Sequence, residues 1–158
     1  MTTVTLRPMT SGEFDEWQAA LAADYAAEQV AAGTWPPEGA ERRAREENAR
    51  LLPDGAATER MLFLRGVGGD GEPVGRAWVA LDHPRGAPGV AFLYDIEVVE
   101  HRRGQGLGRA LLAAVEDAAR DAGADGMELN VFGQNAAARA LYGTSGYEVV
   151  TQQMRKAL

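Results

Sequence analysis

The sequence contains no cysteine. A disulfide framework, a thiolate nucleophile and a cysteine-ligated metal site are therefore excluded. The two histidines, His83 in a loop rich in proline and glycine and His101 before a glycine-rich turn, are isolated, so we expect both to be exposed and no metal to bind. No apolar run approaches the roughly 20 residues that cross a bilayer, and no basic stretch precedes an apolar segment near the N-terminus. These absences predict a cytoplasmic protein without a membrane partner.

Positively charged residues are fewer than negatively charged ones. The chain has 16 Lys and Arg against 23 Asp and Glu, and its formal net charge is −7. A nucleic-acid-binding domain needs a basic face, so we expect no nucleic-acid partner. The acidic balance is compatible with a cationic or amine substrate, although many proteins are acidic for solubility alone. The 158 residues and the hydrophobic content of 46% suit a single domain over residues 1–158.

Hydrophobic periodicity predicts alternating strands and helices along the chain. The predicted order is a strand, two helices, three strands, a helix, a strand that ends near Phe132, a helix and a final strand from Tyr147 to Met154. Ser11 is the predicted N-cap of the first helix. An antiparallel middle followed by a βαβ half implies an α/β sheet with helices on both faces.

A glycine-rich turn separates the fourth predicted strand from the helix after it. The turn, Arg103 to Gly108, lies between the apolar run Val90 to Val99 and a helix that begins near Arg109. Glycines let a ligand approach the main chain closely, and a helix N-terminus adds free N–H donors and partial positive charge. The turn therefore predicts a phosphate-binding site.

Two other phosphate-binding loops fail on spacing. A Walker A loop ends in Gly-Lys-Ser or Gly-Lys-Thr, whereas Gly108 is followed by Arg109 and Ala110. A dinucleotide fingerprint lies in the first βαβ unit with an acidic residue about 20 residues further on, whereas this turn lies late in the chain. Neither nucleotide-binding motif explains the turn.

The turn resembles the Arg/Gln-x-x-Gly-x-Gly/Ala signature of the GNAT acetyltransferase superfamily. Ile96-Glu97-Val98 is similar to the family's strand before the turn, Asn135 and Tyr142 stand where many members have them, and Gly146-Tyr147 resembles the usual entry to the last strand. The resemblance covers nearly the whole chain. It implies the GNAT fold: a mixed central sheet of about six to seven strands, helices on both faces, and a cofactor cleft where the fourth and fifth strands splay apart.

By this resemblance the co-substrate is acetyl-coenzyme A. The pantetheine arm would pair with the backbone of Ile96, Glu97 and Val98 like an added strand, and a strand N–H near Val98 would polarise the thioester carbonyl. Asn135 would cap the next helix and also contact the arm. The pyrophosphate would lie on the N–H groups of the turn, which are those of Arg103, Gly104, Gln105, Gly106, Leu107, Gly108 and Arg109.

Tyr142 is the predicted general acid, because a phenol beside the leaving sulfur can protonate the thiolate. The alternative is a tyrosine that only packs in the core at the end of a helix. Tyr142 would also contact the cofactor. Trp35, in the connection between the first two helices, is the candidate to line the acceptor cleft, because the family builds acceptor specificity from that connection.

The resemblance constrains the identity of the general base less than that of the general acid. Where some relatives place a glutamate, this chain has Asn130, which cannot act as a base. Glu97 is the predicted base, with Asp95 or water alone as alternatives. The two-residue period of a strand puts Asp95 and Glu97 on one face, with Tyr94 and Ile96 on the other.

Together these features predict an N-acetyltransferase that moves an acetyl group from acetyl-coenzyme A to a primary amine, by direct attack in a ternary complex. The acceptor would be a small-molecule amine or a peptide. Two alternatives stay open: an acyltransferase that uses a longer acyl-coenzyme A or a non-amine acceptor, and a non-catalytic sensor that binds acyl-coenzyme A. Dimers are common in the family, so a homodimer is compatible with the resemblance.

Overall fold

The computed structural model describes residues 3–158. The helices and strands follow the predicted order as far as the fourth helix. They are β1 (Val4–Pro8), α1 (Ser11–Ala31), α2 (Ala40–Leu51), β2 (Met61–Gly68), β3 (Pro73–Ala80), β4 (Val90–Val98), α3 (Leu107–Asp121), β5 (Gly126–Leu129) and α4 (Ala136–Thr144). None of these helices is both long and apolar enough to span a membrane.

The described residues form one mixed sheet in the order β1-β2-β3-β4-β5. Neighbouring strands are antiparallel except β4 and β5, which are parallel. The prediction of six to seven strands is therefore wrong, because the expected last strand, Tyr147 to Met154, forms no strand. A strand needs a partner edge as well as β-prone residues. Here the Arg155 guanidinium instead binds the carbonyl oxygens of Ala32 and Gly33 at the end of α1.

Helices cover both faces of the sheet, as predicted. Phe63 and Leu64 are neighbours in β2, and the alternation of a strand sends their side chains to opposite faces. Phe63 joins an aromatic cluster beneath α1, whereas Leu64 joins the core beneath α3. The α1 face is built mainly from Phe14, Trp17, Leu21, Phe63 and Trp78, and the α3 face from Leu64, Ala77, Val79, Ala91, Leu93, Leu111, Leu112 and Val115.

The first turn of α1 is held by a capping box. The N-cap is Thr10 rather than the predicted Ser11: the Thr10 hydroxyl accepts the N–H of Glu13 (3.2 Å), and the Glu13 carboxylate accepts the N–H of Thr10 (2.9 Å). The reason is spacing, because only Thr10 has a glutamate three residues further on. Glu13 also pairs with Arg7 (2.7 Å) and Arg65 (2.8 Å). The Arg7 contact and the Thr10 N–H together hold the pKa of Glu13 far below its ordinary value.

Replacing Glu13 with glutamine is expected to lower the free energy of unfolding by about 1–2 kcal/mol at neutral pH, because the cap and two ion pairs are weakened. The folded-state pKa of Glu13 lies below its ordinary value of 4.5. The carboxylate therefore stabilises the fold fully above pH 4.5, and this contribution declines as the pH falls below it. Urea denaturation at pH 7 and pH 3 should show the gap between wild type and variant shrinking in acid. Glu16→Gln, at an exposed position of α1, is the control, and a gap that does not depend on pH would contradict this account.

Candidate active site

A β-bulge in β4 sets the direction of the side chains that face α1. Trp78 of β3 pairs with Asp95, but the next residue, Val79, pairs with Leu93, so Tyr94 is the extra residue. As a result both Tyr94 and Asp95 face α1: the Tyr94 ring stacks on Trp78 at 4.4 Å, and Asp95 accepts a hydrogen bond from the Trp17 indole of α1 at 2.9 Å. The prediction that Tyr94 lies on the opposite face is wrong, because a strict two-residue period does not allow for a bulge.

The strands β4 and β5 pair along only the first half of β4. They pair only from Val90 to Leu93, while β4 continues to Val98 and β5 ends at Leu129. The predicted extension of β5 to Phe132 is therefore absent. Over its last five residues β4 has no parallel neighbour within the described chain, which leaves a cleft on that side of the strand.

On the β5 side, some backbone groups of this unpaired stretch, which is the last five residues of β4, point into the cleft. The N–H of Val99 donates to the Val74 carbonyl at 2.8 Å. Peptide groups alternate in direction along an antiparallel strand, so those of Glu97 face β3 and those of Ile96 and Val98 face the cleft. On the cleft side, the Arg103 side chain donates a hydrogen bond to the Val98 carbonyl at 3.1 Å. Ile96 and Val98 can therefore accept an extended ligand as an added strand would be accepted.

The glycine-rich turn lies directly beyond the end of this stretch. Gly104 and Gly106 have φ angles of 74° and 77°, a region that glycine occupies without strain. Gly106 is the N-cap of α3 and supplies no side-chain cap, so the first N–H groups of the helix stay available. A methyl group added at either glycine would meet no atom within 4 Å, so the conformation and not the space requires glycine. The turn has the geometry of an anion-binding nest.

The two arginines of the turn point their side chains toward protein groups. Arg103 pairs with Glu97 at 2.6 Å, and Arg109 contacts Thr144 and Ser145 at the end of α4. Gln105 is exposed, whereas Leu107 is buried beneath the helix start. Within this arrangement the free donors of the turn are the exposed Gln105 amide and the backbone N–H groups other than that of Arg103, which donates to the Glu100 carbonyl at 3.2 Å.

The helix α4 carries the predicted cap and the predicted acid. The Asn135 side chain accepts the Ala138 N–H at 3.1 Å, which confirms Asn135 as the N-cap. Tyr142 is half-buried and packs edge-to-face with Tyr147 at 5.7 Å. Burial, followed by the nearby charges of Asp95 and Glu28, raises the pKa of Tyr142. The phenol therefore keeps its proton at neutral pH.

A charged network lies between α1 and β4. The Arg76 guanidinium binds Asp95 at 3.0 Å and Glu97 at 2.7 Å, and it reaches Asp24 of α1 at 3.4 Å. Glu97 thus has two arginine partners, Arg76 and Arg103. Burial raises the pKa of Asp95 despite its contact with Arg76. The structure confirms that Asp95 and Glu97 share a face of β4.

Glu28 is a candidate that the sequence did not suggest. It stands one helical turn beyond Asp24 on α1, and Trp17, Leu21, Asp24 and Glu28 follow one stripe of that helix. Partial loss of solvent around the carboxyl group, together with the charges of Asp24, Asp95 and Glu97, raises the pKa of Glu28. Among the described residues Glu28 has no ion-pair partner. The spacing from Trp17 was the available signal, but only the contact of Trp17 with Asp95 shows where the stripe points.

Trp35 does not line the cleft. It is buried, packs edge-to-face on Tyr25 at 5.4 Å and lies beneath the Arg43 guanidinium at 4.3 Å. These contacts join α1 to α2, so the prediction of an acceptor-lining Trp35 is wrong. A tryptophan beside prolines is as compatible with packing between helices as with a binding surface.

His83 is buried, not exposed as predicted, whereas His101 is exposed. The Nδ1 atom of His83 accepts the Arg85 N–H at 3.0 Å, which places the ring proton on Nε2. That nitrogen contacts the Glu128 carboxylate of β5, and the ring packs against Phe92. The loop before β4 folds back over the sheet, which a local reading of its prolines and glycines does not reveal. Across residues 3–158 no group of three or more histidine and acidic side chains is arranged to hold a metal ion.

Known proteins resemble this chain in sequence and in fold. The pattern of the Acetyltransferase (GNAT) family matches residues 17–147. The chain is 34% identical to the uncharacterized N-acetyltransferase YycN of Bacillus subtilis over 99% of each chain. It is 30% identical to the uncharacterized N-acetyltransferase YdgE of the same species over 98% of each chain. The crystal structure of YycN superposes with a TM-score of 0.93 over 99% of both chains.

More distant proteins share the fold alone. The aminoglycoside N-acetyltransferase AAC(6')-Iy, solved in complex with CoA, has a TM-score of 0.61 at 18% identity, over 100% of this chain and 96% of that chain. The mixed sheet, the parted β4 and β5 strands and the relatives named above define an acyltransferase. The chain belongs to the acetyltransferase (GNAT) family.

Proposed function

We propose that this enzyme transfers the acetyl group of acetyl-coenzyme A to a primary amine, by direct attack within a ternary complex. One observation carries the proposal: the anion-binding turn lies directly beyond the unpaired stretch of β4. A co-substrate with a pyrophosphate group and an extended amide-containing arm matches both features at once. The complex of AAC(6')-Iy with CoA supports this choice of co-substrate.

The residues that would hold the co-substrate are mainly backbone groups. The N–H groups from Gly104 to Arg109 would bind the pyrophosphate. The predicted Arg103 N–H is not among them, because it donates to the Glu100 carbonyl at 3.2 Å. The peptide groups of Ile96 and Val98 would pair with the amides of the arm, and Glu97 would complete the strand between them. Asn135 would contact the same arm from the start of α4. A neutral amide is suited to this role because it offers both a donor and an acceptor.

The reaction forms one bond and breaks another. The neutral amine nitrogen attacks the thioester carbonyl and the C–N bond forms. The nitrogen then loses a proton to solvent, and the C–S bond breaks to release the amide and the thiolate. The N–H of Val98 would stabilise the oxyanion. Tyr142 would give its phenolic proton to the thiolate, and solvent would then reprotonate the phenolate.

A carboxylate of the network between α1 and β4 would accept the ammonium proton. Glu97 lies within the unpaired stretch of β4 and would act through a water molecule, but arginines hold it on two sides. Glu28 has no arginine partner among the described residues, and partial burial and the neighbouring carboxylates raise its pKa. Because no arginine of the described chain binds its carboxylate oxygens, Glu28 is the favoured general base, and Glu97 is the second candidate.

A pair of variants separates these two bases. Glu28→Gln is expected to lower kcat about tenfold or more at neutral pH and to abolish the acidic limb of the kcat/KM profile, because a general base works only above its pKa. Glu97→Gln is expected to keep that limb and to act mainly on KM. Measurement of initial rates from pH 5 to pH 9 for both variants tests the assignment. The reverse pattern would return the role to Glu97.

An acceptor screen tests the proposed function as a whole. The full chain would be incubated with acetyl-coenzyme A and with peptides, lysine derivatives, polyamines, aminoglycosides and amino acids, and release of free thiol would be followed. We expect amine-dependent release with at least one cationic acceptor. Faster release from a longer acyl-coenzyme A would favour the alternative acyl donor, and tight binding without release across the panel would contradict catalysis.

A further inference from the structure

The chain just before the glycine-rich turn is joined to the β2–β3 region at two points. At the first, the N–H of Val99 donates to the Val74 carbonyl of β3 at 2.8 Å. At the second, the Arg102 guanidinium pairs with the Asp70 carboxylate, which lies in the hairpin connection between β2 and β3, at 3.2 Å. Because the turn begins at Arg103, these two contacts fix the position of the chain that leads into it.

A single 3₁₀ turn, Glu100–Arg102, lies between the two points. The N–H of Arg102 donates to the Val99 carbonyl at 2.9 Å, and the N–H of Arg103 donates to the Glu100 carbonyl at 3.2 Å. Such a short piece has few internal hydrogen bonds, so its orientation depends on the groups to which its ends are attached. The Arg102 side chain provides the attachment at the end that is nearer to the glycine-rich turn.

The Arg102 side chain is packed, unlike that of its neighbour in the sequence. Only 17% of it is exposed, against 53% for Arg103. A Cβ atom added at Gly68 would lie 3.3 Å from the Arg102 guanidinium and 2.8 Å from the Asp70 carboxylate. Both distances are shorter than an ordinary van der Waals contact. The ion pair therefore fills the space that a side chain at position 68 would need.

The hairpin holds the Asp70 carboxylate in turn. One carboxylate oxygen accepts the N–H of Glu72 at 3.0 Å, and the other pairs with Arg102. The Glu72 N–H, followed by the Arg102 guanidinium, lowers the pKa of Asp70. The carboxylate is therefore ionised at neutral pH and connects the hairpin to the chain before the turn.

We propose that Arg102 is a positioning residue for coenzyme A binding: through its ion pair with Asp70 it fixes the direction of the backbone N–H groups that follow in the turn. This role rests on the proposed function, in which those N–H groups bind the pyrophosphate. Donors that are already fixed bind an anion more tightly, because less conformational freedom is lost on binding. Arg102 acts through the backbone and does not itself contact the co-substrate.

Asp70→Asn separates this role from direct binding by Arg102, because the two roles predict opposite effects. If Arg102 bound the pyrophosphate itself, loss of the competing carboxylate would strengthen coenzyme A binding. The positioning role predicts a dissociation constant about two- to fivefold higher, the factor that one partly exposed ion pair contributes. It also predicts an unchanged kcat at saturating acetyl-coenzyme A. Calorimetric titration with coenzyme A and steady-state kinetics measure the two effects, and unchanged or tighter binding by the folded variant would overturn the proposal.

Two neighbouring glycines allow a matched steric test. Gly68→Ala places a methyl group against both members of the ion pair, whereas a methyl group at Gly69 would meet no atom within 4 Å. Neither glycine has a positive φ angle, so the two variants differ in this contact and not in backbone strain. We expect Gly68→Ala to raise the dissociation constant of coenzyme A and Gly69→Ala to leave it unchanged. Equal affinities in the two variants would count against the ion pair as the device that positions the turn.

The wild-type titration keeps this role distinct from the proposed function. A wild-type chain that binds no coenzyme A would contradict the proposed function and, with it, the role of Arg102. If the wild type binds coenzyme A, Gly106→Val binds it more weakly and Asp70→Asn binds it as the wild type does, the turn remains the pyrophosphate site and only the role of Arg102 is overturned.

Discussion

Replacement of Tyr142 with phenylalanine is expected to lower kcat by about 10²- to 10⁴-fold, the range that a positioned general acid contributes. The phenol keeps its proton because burial and the nearby carboxylates raise the pKa of Tyr142. Loss of one hydroxyl removes the proton donor but leaves the ring packed against Tyr147. The dissociation constant of acetyl-coenzyme A should therefore change little. Steady-state kinetics with the acceptor found in the screen, and calorimetric titration of the cofactor, measure the two effects.

Tyr147→Phe is the matched control for this variant. It removes the hydroxyl of the neighbouring ring, which donates to Glu116 of α3. We expect some loss of stability and an unchanged kcat. If Tyr142→Phe also retained full turnover, Tyr142 would be a packing residue and the thiolate would leave without this acid.

Gly106→Val is expected to weaken the binding of coenzyme A by about 10- to 100-fold. The φ angle of Gly106 is 77°, and a left-handed conformation costs a residue with a Cβ atom about 1–2 kcal/mol. Relief of that strain would rotate the free N–H groups at the start of α3 away from the anion. A β-branched side chain would also occupy space that is open in the wild type. Calorimetric titration of the folded variant with coenzyme A measures the loss.

Gly123→Val controls for the cost of the conformation alone. Gly123 follows α3, has a φ angle of 102° and has no atom near the position of an added Cβ. Both variants should lose similar stability in thermal melts, but only Gly106→Val should lose affinity. Equal affinity in the two variants would remove the turn as the pyrophosphate site.

Local sequence patterns predict much of the fold. The glycine-rich turn between a strand and an amphipathic helix predicted the start of α3, since glycine tolerates positive φ and a helix start leaves its donors free. Asn135 predicted the start of α4 because its side chain can replace a missing backbone partner. The order of the elements followed from hydrophobic period. Each of these features depends on residues within a few positions of one another.

Local sequence patterns did not predict the features that depend on contacts between residues far apart in the chain. A bulge at Tyr94 is defined by the register with β3, and a histidine in a loop becomes buried only when that loop folds over Glu128. Glu28 became a candidate because α1 lies across β4. The residues from Tyr147 to Met154 have the composition of a strand, but composition does not supply the edge that a strand must pair with.

The sequence by itself determined the family, the glycine-rich turn at the start of α3, the N-cap of α4 and the identity of the candidate acid, because a short motif and its spacing encode them. The tertiary structure decided which carboxylates meet, which of them arginines neutralise, where β4 and β5 separate, and that the last segment forms no strand. Those outcomes depend on contacts between residues far apart in the chain, and their strength depends on burial and on charge at distances that only the folded chain defines.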